Sequence, residues 1–329
     1  MTKADLAREY RDKHGMKVSH SWLARLMLKE NPLIFDNFDS ARYALRAIEG
    51  KVGKERSSGG GVKVTHQAPP RNSNPYQLPD SDEIPYEPFV IKGYKRVAVF
   101  SDIHVPYHSI SAITTALDFC KKEKPDALLL NGDTLDAFQL SKFVKDPRKR
   151  HFADELKMMK QLIEVFQKTL KCKIFFKYGN HEERYEHFLF SKAKELVGID
   201  EFELDSIIKA RVNGIDIIKD KRIIHLNGLN VIHGHEYTQG IFNPVNVARG
   251  LFLRAKTSAM QSHSHQSSEH TERDMNGKIT TTWSTGCLCE LSPQYAPLNK
   301  WNWGFAIVDL DGKTGFDVRN KRIYKNVVL

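Results

Sequence analysis

The chain has 329 residues, more than one typical domain and fewer than two, which is ample for a large buried core. Its 50 Lys and Arg against 40 Asp and Glu give a formal net charge of +10, which suits a polyanionic partner or, equally, a basic surface that keeps the protein soluble. No run of about eighteen apolar residues occurs and the N-terminal segment is charged, so we expect neither a membrane-spanning nor a secreted protein but a soluble cytoplasmic one, with reduced cysteines.

Residues 1–50 are predicted to form a small helical module. Apolar residues recur at helical spacing over residues 4–14, 19–30 and 40–49, and Gly15 ends the first of these segments. A glycine-containing turn between short helices that expose Arg and Lys resembles a helix-turn-helix DNA-binding unit. A helical cap, an oligomerisation module and a partner-docking module remain as alternatives.

A Gly- and Pro-rich linker is predicted over residues 51–90, followed by a single α/β domain over residues 91–329. Strand-like runs at 96–101, 127–131 and 173–177 alternate with helical runs at 109–122, 152–170 and 182–196. This order predicts parallel central strands with helices on both faces of the sheet. The chain becomes strand-rich after about residue 211, so we expect two β-layers wrapped by helices. The basic run within residues 142–150 is read either as a guide for a polyanion or as a solvated helix face.

Five short clusters of metal-ligand residues each follow an apolar, β-branched or aromatic run, where a strand should end. They are Asp102 and His104 in SDIH, Asp133 in NGD, Asn180 and His181 in GNHEE, His233 in VIHGH, and His263 and His265 in SHSH. The carboxyl ends of parallel strands meet at one edge of a sheet, so these side chains should converge on one crevice. A mixed set of Asp, Asn and His suits Mn²⁺, Fe²⁺ or Zn²⁺.

In order, these clusters are similar to the D-x-H, G-D, G-N-H-[DE], strand-His and G-H-x-H motifs of the calcineurin-like metallophosphoesterase superfamily, over about residues 96–266. The resemblance implies a β-sandwich flanked by helices and two divalent metal ions, with Mn²⁺ expected and Fe²⁺, Zn²⁺ or Ni²⁺ as alternatives. It also implies two ligand sets that share a bridging Asp133: Asp102, His104, Asp133 and His265 for one ion, and Asp133, Asn180, His233 and His263 for the other. Ser262 stands where the family usually has glycine, and His235 competes with His233 as the ligand in VIHGH.

Two such ions would share a hydroxide that attacks phosphorus in line. We expect His181 to act as general acid above the leaving group, with Glu182 or Glu183 orienting it. Further side chains are candidates for contact with the substrate: Arg184, His235, Tyr107, His108 and Arg249. Asp136 is read either as a helix cap or as a support for a ligand. Cys287 and Cys289 are expected to alternate across a strand, so that at most one faces a pocket.

The sequence therefore predicts a two-metal phosphodiesterase or nuclease that hydrolyses nucleic acid, with DNA as the expected substrate and no membrane partner. A phosphomonoesterase acting on nucleotides or proteins is one alternative. A DNA-binding or assembly factor with a regulatory phosphoesterase fold is another. Over its full length the chain resembles uncharacterised bacteriophage and bacterial members of the superfamily that carry a helical N-terminal extension, which implies the cytoplasm of a bacterial cell or of a phage-infected host. No oligomeric state is predicted.

Overall fold

The computed structural model describes residues 2–15, 18–49, 78–79, 86–141, 151–237, 245–293, 296–312 and 315–329. Most of the predicted linker and the basic run within 142–150 lie outside these residues. The chain divides into two compact units, Met1–Leu78 and Pro79–Leu329. Among the described residues, no helix is both long enough and apolar enough to cross a bilayer.

The N-terminal unit contains three helices, α1 (Lys3–His14), α2 (His20–Glu30) and α3 (Phe38–Ile48), as the periodicity predicts. Each helix is capped by the side chain of the residue before it, which accepts a backbone N–H of the first turn. The capping residues are Thr2 for α1, Ser19 for α2 and Asn37 for α3. The apolar faces of the helices form a core of their own, made of Leu6, Ala7, Tyr10, Leu23, Ala24, Met27, Phe35, Ala41, Ala44 and Leu45.

A buried ion pair ties the first helix of this unit to the end of the third. Arg11 donates to Glu49 Oε1 at 2.5 Å and to Val18 O at 2.7 Å, and the Arg11 and Glu49 side chains are only 6% and 5% exposed. The unit therefore has both an apolar core and an internal polar contact.

In the larger unit, seven strands form one sheet in the order β13-β12-β11-β2-β3-β4-β5 among the described residues. The strands are β2 (Arg96–Phe100), β3 (Ala127–Asn131), β4 (Lys173–Lys177), β5 (Asp216–Ile218), β11 (Gly304–Asp311), β12 (Gly315–Tyr324) and β13 (Val327–Val328). Strands β2 to β5 run parallel, as predicted, and β11 to β13 add an antiparallel edge.

A second sheet has the order β1-β6-β7-β8-β10-β9 within the described part of the chain. Its strands are β1 (Phe89–Val90), β6 (Ile224–Leu226), β7 (Leu229–Val231), β8 (Ala259–Gln261), β9 (Ser268–Arg273) and β10 (Ile279–Ser284). Of the two short strands that precede site residues in this sheet, β7 coincides with the apolar run predicted to end at His233. No strand was predicted at β8, because three residues give too little periodicity to recognise.

The helices of this unit are α4 (Ile110–Glu123), α5 (Phe152–Leu170), α6 (Glu183–Lys192), α7 (Leu204–Ile207) and α8 (Val247–Ala255), with short 3₁₀ turns at Phe138–Leu140, Lys194–Leu196 and Asp200–Phe202. Helix α5 has the predicted bounds, α6 is shorter than the predicted 182–196, and α8 was not predicted.

Alternate residues of β2 face two different cores. Ala98 and Phe100 pack with side chains of α4 and α5, whereas Val97 and Val99 pack with the second sheet. The expectation of helices on both faces of the parallel sheet is therefore wrong: helices cover one face and the second sheet covers the other. Two β-layers flanked by helices, the predicted fold class, are confirmed.

Candidate metal centre

The five predicted clusters lie directly beyond the C-terminal ends of five strands drawn from both sheets. The first three clusters follow β2, β3 and β4 of the larger sheet, and the last two clusters follow β7 and β8 of the smaller sheet. Positive φ angles occur at Asp102, His104, Asp133, His263 and His265, between 51° and 66°. A left-handed backbone costs a non-glycine residue about 1–2 kcal/mol, and such strain concentrates at functional sites.

Asp133 occupies the middle of the constellation. Its Oδ2 lies 3.2 Å from His233 Nε2 and 3.8 Å from His104 Nε2. The same oxygen lies 3.7 Å from His181 Nε2. One carboxylate oxygen thus faces imidazoles from three separate loops, as a bridging ligand must.

The predicted ligand atoms form two groups, and Asp133 belongs to one of them. Asp102, His104 and His265 form one group and Asp133, His233 and His263 the other, with ligand atoms in each group within 4.8 Å of one another. In the first group, His265 Nε2 lies 3.2 Å from both Asp102 Oδ1 and His104 Nε2. These are six of the seven predicted ligands, divided as the resemblance implied.

Unpartnered buried atoms test whether these residues suit a metal. Asn180 Oδ1 is buried and has no hydrogen-bond partner among the described residues. Asp102 Oδ1 and His233 Nε2 are buried as well and form no well-oriented hydrogen bond there, although each faces an oppositely charged group at 3.2 Å. Leaving such atoms unsatisfied costs about 1–3 kcal/mol each. All three are predicted ligand atoms, and a divalent cation with oxygen and nitrogen preferences would satisfy each of them, so the residues fit the group.

Charge within the centre favours ionised carboxylates. Burial acts to raise the pKa of Asp102, but the His265 imidazole beside it outweighs burial and lowers the pKa to about 2. Burial likewise opposes ionisation of Asp133, yet His181 and His233 hold its pKa well below the ordinary value. Burial acts to lower the pKa of His233, whereas Asp133 raises it to about 10. A cation that binds His233 must therefore displace its proton.

Hydrogen bonds on the outer nitrogens orient two of these imidazoles. His104 Nδ1 lies 3.0 Å from Asp136 Oδ1, and His233 Nδ1 lies 2.8 Å from Asn131 O. Each contact directs the Nε2 atom inward, as is usual for imidazole ligands. Asp136 is therefore placed to support a ligand, one of the two interpretations left open above. Asn131, the last residue of β3, was not singled out from the sequence.

Glu182 holds the loop that carries Asp133. Its fully buried carboxylate accepts the N–H groups of Asp133 at 3.0 Å, Leu135 at 2.9 Å and Gly179 at 2.9 Å. It does not orient His181, as one expectation had it. The other candidate, Glu183, contacts His235 Nε2 at 2.9 Å instead of His181.

Two glycines allow the loops to approach one another. A Cβ at Gly132, whose φ is +87°, would lie 2.7 Å from His233 Cγ, and one at Gly179 would lie 2.5 Å from Asp133 N. Any side chain at either position would displace a predicted ligand.

A buried ion pair that the sequence does not predict supports the loop of His233. Lys177 is 0% exposed and its Nζ lies 3.0 Å from Glu236 Oε1. The Glu236 carboxylate also accepts the N–H groups of His233 at 2.8 Å and Gly234 at 2.6 Å. The signal in the sequence was a lysine at the C-terminal end of the strand KIFFK, which does not identify its partner.

His181, the predicted general acid, lies beside Asp133 in a network of its own. Its Nδ1 donates to Asp136 O at 2.9 Å, and its Nε2 accepts from Arg184 Nη2 at 2.9 Å. The same guanidinium donates to Asp136 O at 2.8 Å through Nη1. The structure thus places Arg184 at the site, in contact with His181.

The remaining candidate substrate contacts lie at different distances from the centre. His235 packs against His233, with ring centroids 5.3 Å apart. Tyr107 and His108 continue the loop of His104, and Tyr107 is 44% exposed. Arg249 is exposed on α8 and, in the described residues, makes no hydrogen bond or ion pair with the ligand groups.

Cys287 and Cys289 both lie beside His265, with their sulfurs and an imidazole nitrogen within 4.8 Å of one another. The expectation that only one of them could face a pocket is wrong, because residues two apart in an extended segment share a side.

Comparison with known proteins agrees with the motifs. Residues 95–275, more than half of the chain, match the family described as calcineurin-like phosphoesterase. No curated protein sequence matches the chain significantly.

Several solved structures are similar to this chain at low identity. Vps29 from Cryptosporidium parvum is 12% identical over 72% of this chain and 95% of its own, with a TM-score of 0.40. Vps29 from Entamoeba histolytica in complex with Zn²⁺ is 12% identical over 71% and 96%, with a TM-score of 0.36. A dimetal phosphatase from Danio rerio is 11% identical over 71% and 98%, with a TM-score of 0.37. With its ordered motifs and the match over residues 95–275, the chain belongs to the calcineurin-like phosphoesterase family.

Proposed function

We propose that the protein is a two-metal phosphodiesterase that cleaves nucleic acid, with DNA as its substrate. The observation that carries this proposal is the division of the ligand atoms into two groups, with Asp133 Oδ2 3.2 Å from His233 Nε2 of one group and 3.8 Å from His104 Nε2 of the other. One cation would be held by Asp102, His104, Asp133 and His265, and the other by Asp133, Asn180, His233 and His263. We propose Mn²⁺ for both positions, with Fe²⁺, Zn²⁺ and Ni²⁺ as the alternatives that the same ligands accept.

When bound, two such cations supply Lewis acidity toward phosphate oxygens and a nucleophile at neutral pH. The chain supplies orientation. Asp136 and Asn131 fix the imidazoles of His104 and His233, and Glu182 fixes the backbone around Asp133. The donor atoms are therefore held in place before substrate arrives, which lowers the cost of reorganisation during the reaction.

His181 is the proposed general acid, acting from Nε2 on the leaving oxygen. Its Nδ1 donates to Asp136 O, and its Nε2 accepts from the Arg184 guanidinium and so carries no proton in this arrangement. A phosphate oxygen bound beside Arg184 would compete for that guanidinium and leave Nε2 free to take up a proton from water. Burial acts to lower the pKa of His181, but the Asp133 carboxylate 3.7 Å away helps to raise it, which favours the protonated imidazole that gives this proton to the leaving oxygen.

The preference for nucleic acid is supported by the net charge of +10 and by the three-helix unit that precedes the catalytic fold.

We propose a helical recruitment module over residues 1–50, a linker over 51–90 and a catalytic domain over 91–329. Limited proteolysis should then cut first within 51–90 and leave both flanking pieces intact. Cleavage inside either piece before the linker would contradict this division.

Cleavage assays with Mn²⁺ test the reaction. The full chain is compared on bis-p-nitrophenyl phosphate, on p-nitrophenyl phosphate and on single- and double-stranded DNA. We expect hydrolysis of the diester and of DNA, and in Asp133→Asn a loss of about 100-fold or more, at least as large as that for removing a supporting contact. Hydrolysis of the monoester alone would identify a phosphomonoesterase. DNA binding without hydrolysis would favour a DNA-binding or assembly factor.

A further inference from the structure

His265 differs from the other oriented imidazoles in the atom that faces its outer nitrogen. His104 and His233 each have an oxygen 3.0 Å and 2.8 Å from Nδ1. His265 has a sulfur there, since its Nδ1 lies 3.9 Å from Cys289 Sγ. Its Nε2 faces the first ligand group, 3.2 Å from Asp102 Oδ1.

The sulfurs belong to a small, dry cluster. Cys287 is 0% exposed, Cys289 is 3% exposed and His265 is 5% exposed. Neither cysteine forms a disulfide. The Trp301 ring lies against the imidazole, with centroids 4.1 Å apart. Water therefore has little access to the outer nitrogen, and the thiols are the groups that can satisfy it.

The backbone of the C-L-C segment is fixed relative to the metal ligands. The N–H of Leu288 donates to Asp102 O at 3.1 Å, and the N–H of Cys287 donates to Asn302 O at 3.0 Å. The indole N–H of Trp303 donates to Cys289 O at 2.8 Å. The sulfurs are thus held at a constant position with respect to both Asp102 and His265.

An imidazole that binds a cation through Nε2 must carry its proton on Nδ1, and that N–H needs an acceptor to fix the ring. Sulfur can fill this role, weakly as a thiol and more strongly as a thiolate. We propose that Cys289, with Cys287 beside it, accepts the Nδ1–H of His265 and positions this imidazole for the cation shared with Asp102 and His104. The inference rests on the proposed two-metal site and makes Cys289 a positioning residue of one metal position only.

Metal titration of the full chain separates the two positions without an activity assay. The chelator-stripped protein is titrated with Mn²⁺, and free Mn²⁺ is followed by electron paramagnetic resonance. We expect Cys289→Val to weaken one of two Mn²⁺ equivalents by about 10–100-fold and to leave the other unchanged. Cys289→Ser should retain most of the affinity, because its hydroxyl can accept the N–H. Cys120→Val, which alters a buried thiol in α4, should bind as the wild type does.

Thermal melting of the metal-free variants checks that each has folded, and Cys289→Ala replaces Cys289→Val if the valine does not fit. Unchanged binding of both equivalents by the valine or alanine variant would overturn the inference while leaving the proposed function intact. Fewer than two equivalents in the wild type would overturn both. Replacement of Mn²⁺ by Co²⁺ gives a further test, since a sulfur-to-cobalt charge-transfer band would show that the thiols bind the cation directly and would overturn the positioning role.

Discussion

Substitution of Lys177 by methionine should destabilise the protein by about 3 kcal/mol, the range for removing one partner of a buried ion pair. The ammonium lies 3.0 Å from Glu236 Oε1 and donates to Arg222 O at 2.7 Å. Methionine fills a similar volume, so the change leaves the Glu236 carboxylate buried without its counter-charge. The same carboxylate accepts the backbone N–H of His233 and so holds the loop of this residue in place.

The pKa of Glu236 depends on the same contact. Burial acts to raise it, but Lys177, together with His233, His235 and the N–H of Gly234, outweighs burial and lowers the pKa from 4.5 to about 2. This net shift corresponds to about 3 kcal/mol from the ionised carboxylate with all its partners, among which Lys177 lowers the pKa most. Because the folded-state pKa is depressed, this stability is present above pH 4.5 and is lost as the pH falls toward 2.

Guanidinium denaturation of the metal-free protein measures the free energy of unfolding of the wild type and of the variant at neutral pH and at acidic pH. The difference between the two free energies should be smaller at acidic pH. Lys173→Met is the matched control on the same strand, since Lys173 pairs with Asp216 at 2.8 Å with side chains 28% and 49% exposed. That pair should contribute about 1 kcal/mol or less. Lys177→Met combined with Glu236→Gln should cost less than Lys177→Met alone. Equal losses for the two lysine variants would refute the reasoning.

Three further predictions follow from the geometry of the two units. Gly132→Ala should abolish tight metal binding, because the new Cβ would collide with His233. The control Gly93→Ala has the same φ of +87° but no atom within 4 Å of the new Cβ, so it should cost only the backbone strain of about 1–2 kcal/mol that both variants share. Similar metal titrations for the two variants would contradict this prediction. Glu182→Gln should lower the unfolding free energy by about 2–3 kcal/mol and weaken metal binding, because an amide N–H₂ replaces one acceptor of backbone N–H groups; unchanged melting and titration curves would disprove the bracing role. Arg11→Met should destabilise the N-terminal unit by about 3 kcal/mol while metal binding stays at the wild-type level, as Glu49 loses its buried partner; circular dichroism of the melt together with a metal titration checks both parts.

The sequence predicted the central strands, and the position of the candidate ligands beyond them, because these signals are local. Strands β3 and β4 are buried on both faces, so they read as continuous apolar runs with the observed bounds. Each ligand cluster follows such a run directly, which predicts its place at one edge of the sheet.

The parts that were missed depend on contacts between distant residues. Lys177 and Glu236 are 59 positions apart, and a lone lysine or glutamate gives no indication of its partner. Glu182 was recognised as important for its position beside His181, but its three backbone partners could only be known from the fold. The second β-layer was expected from the strand-rich sequence after residue 211, but its packing on one face of the parallel sheet, where helices were also expected, could only be known from the fold.

The metal centre straddles the seam between the two β-layers, since its ligands come from loops of both. Any cation bound there is also a cross-link that holds one layer to the other. The stability of the folded state must then rise as the metal positions are filled. A free cation concentration 100 times the dissociation constant would add about 2.7 kcal/mol per position to the free energy of unfolding. Chelation would consequently lower the free energy of unfolding as well as remove the catalytic activity.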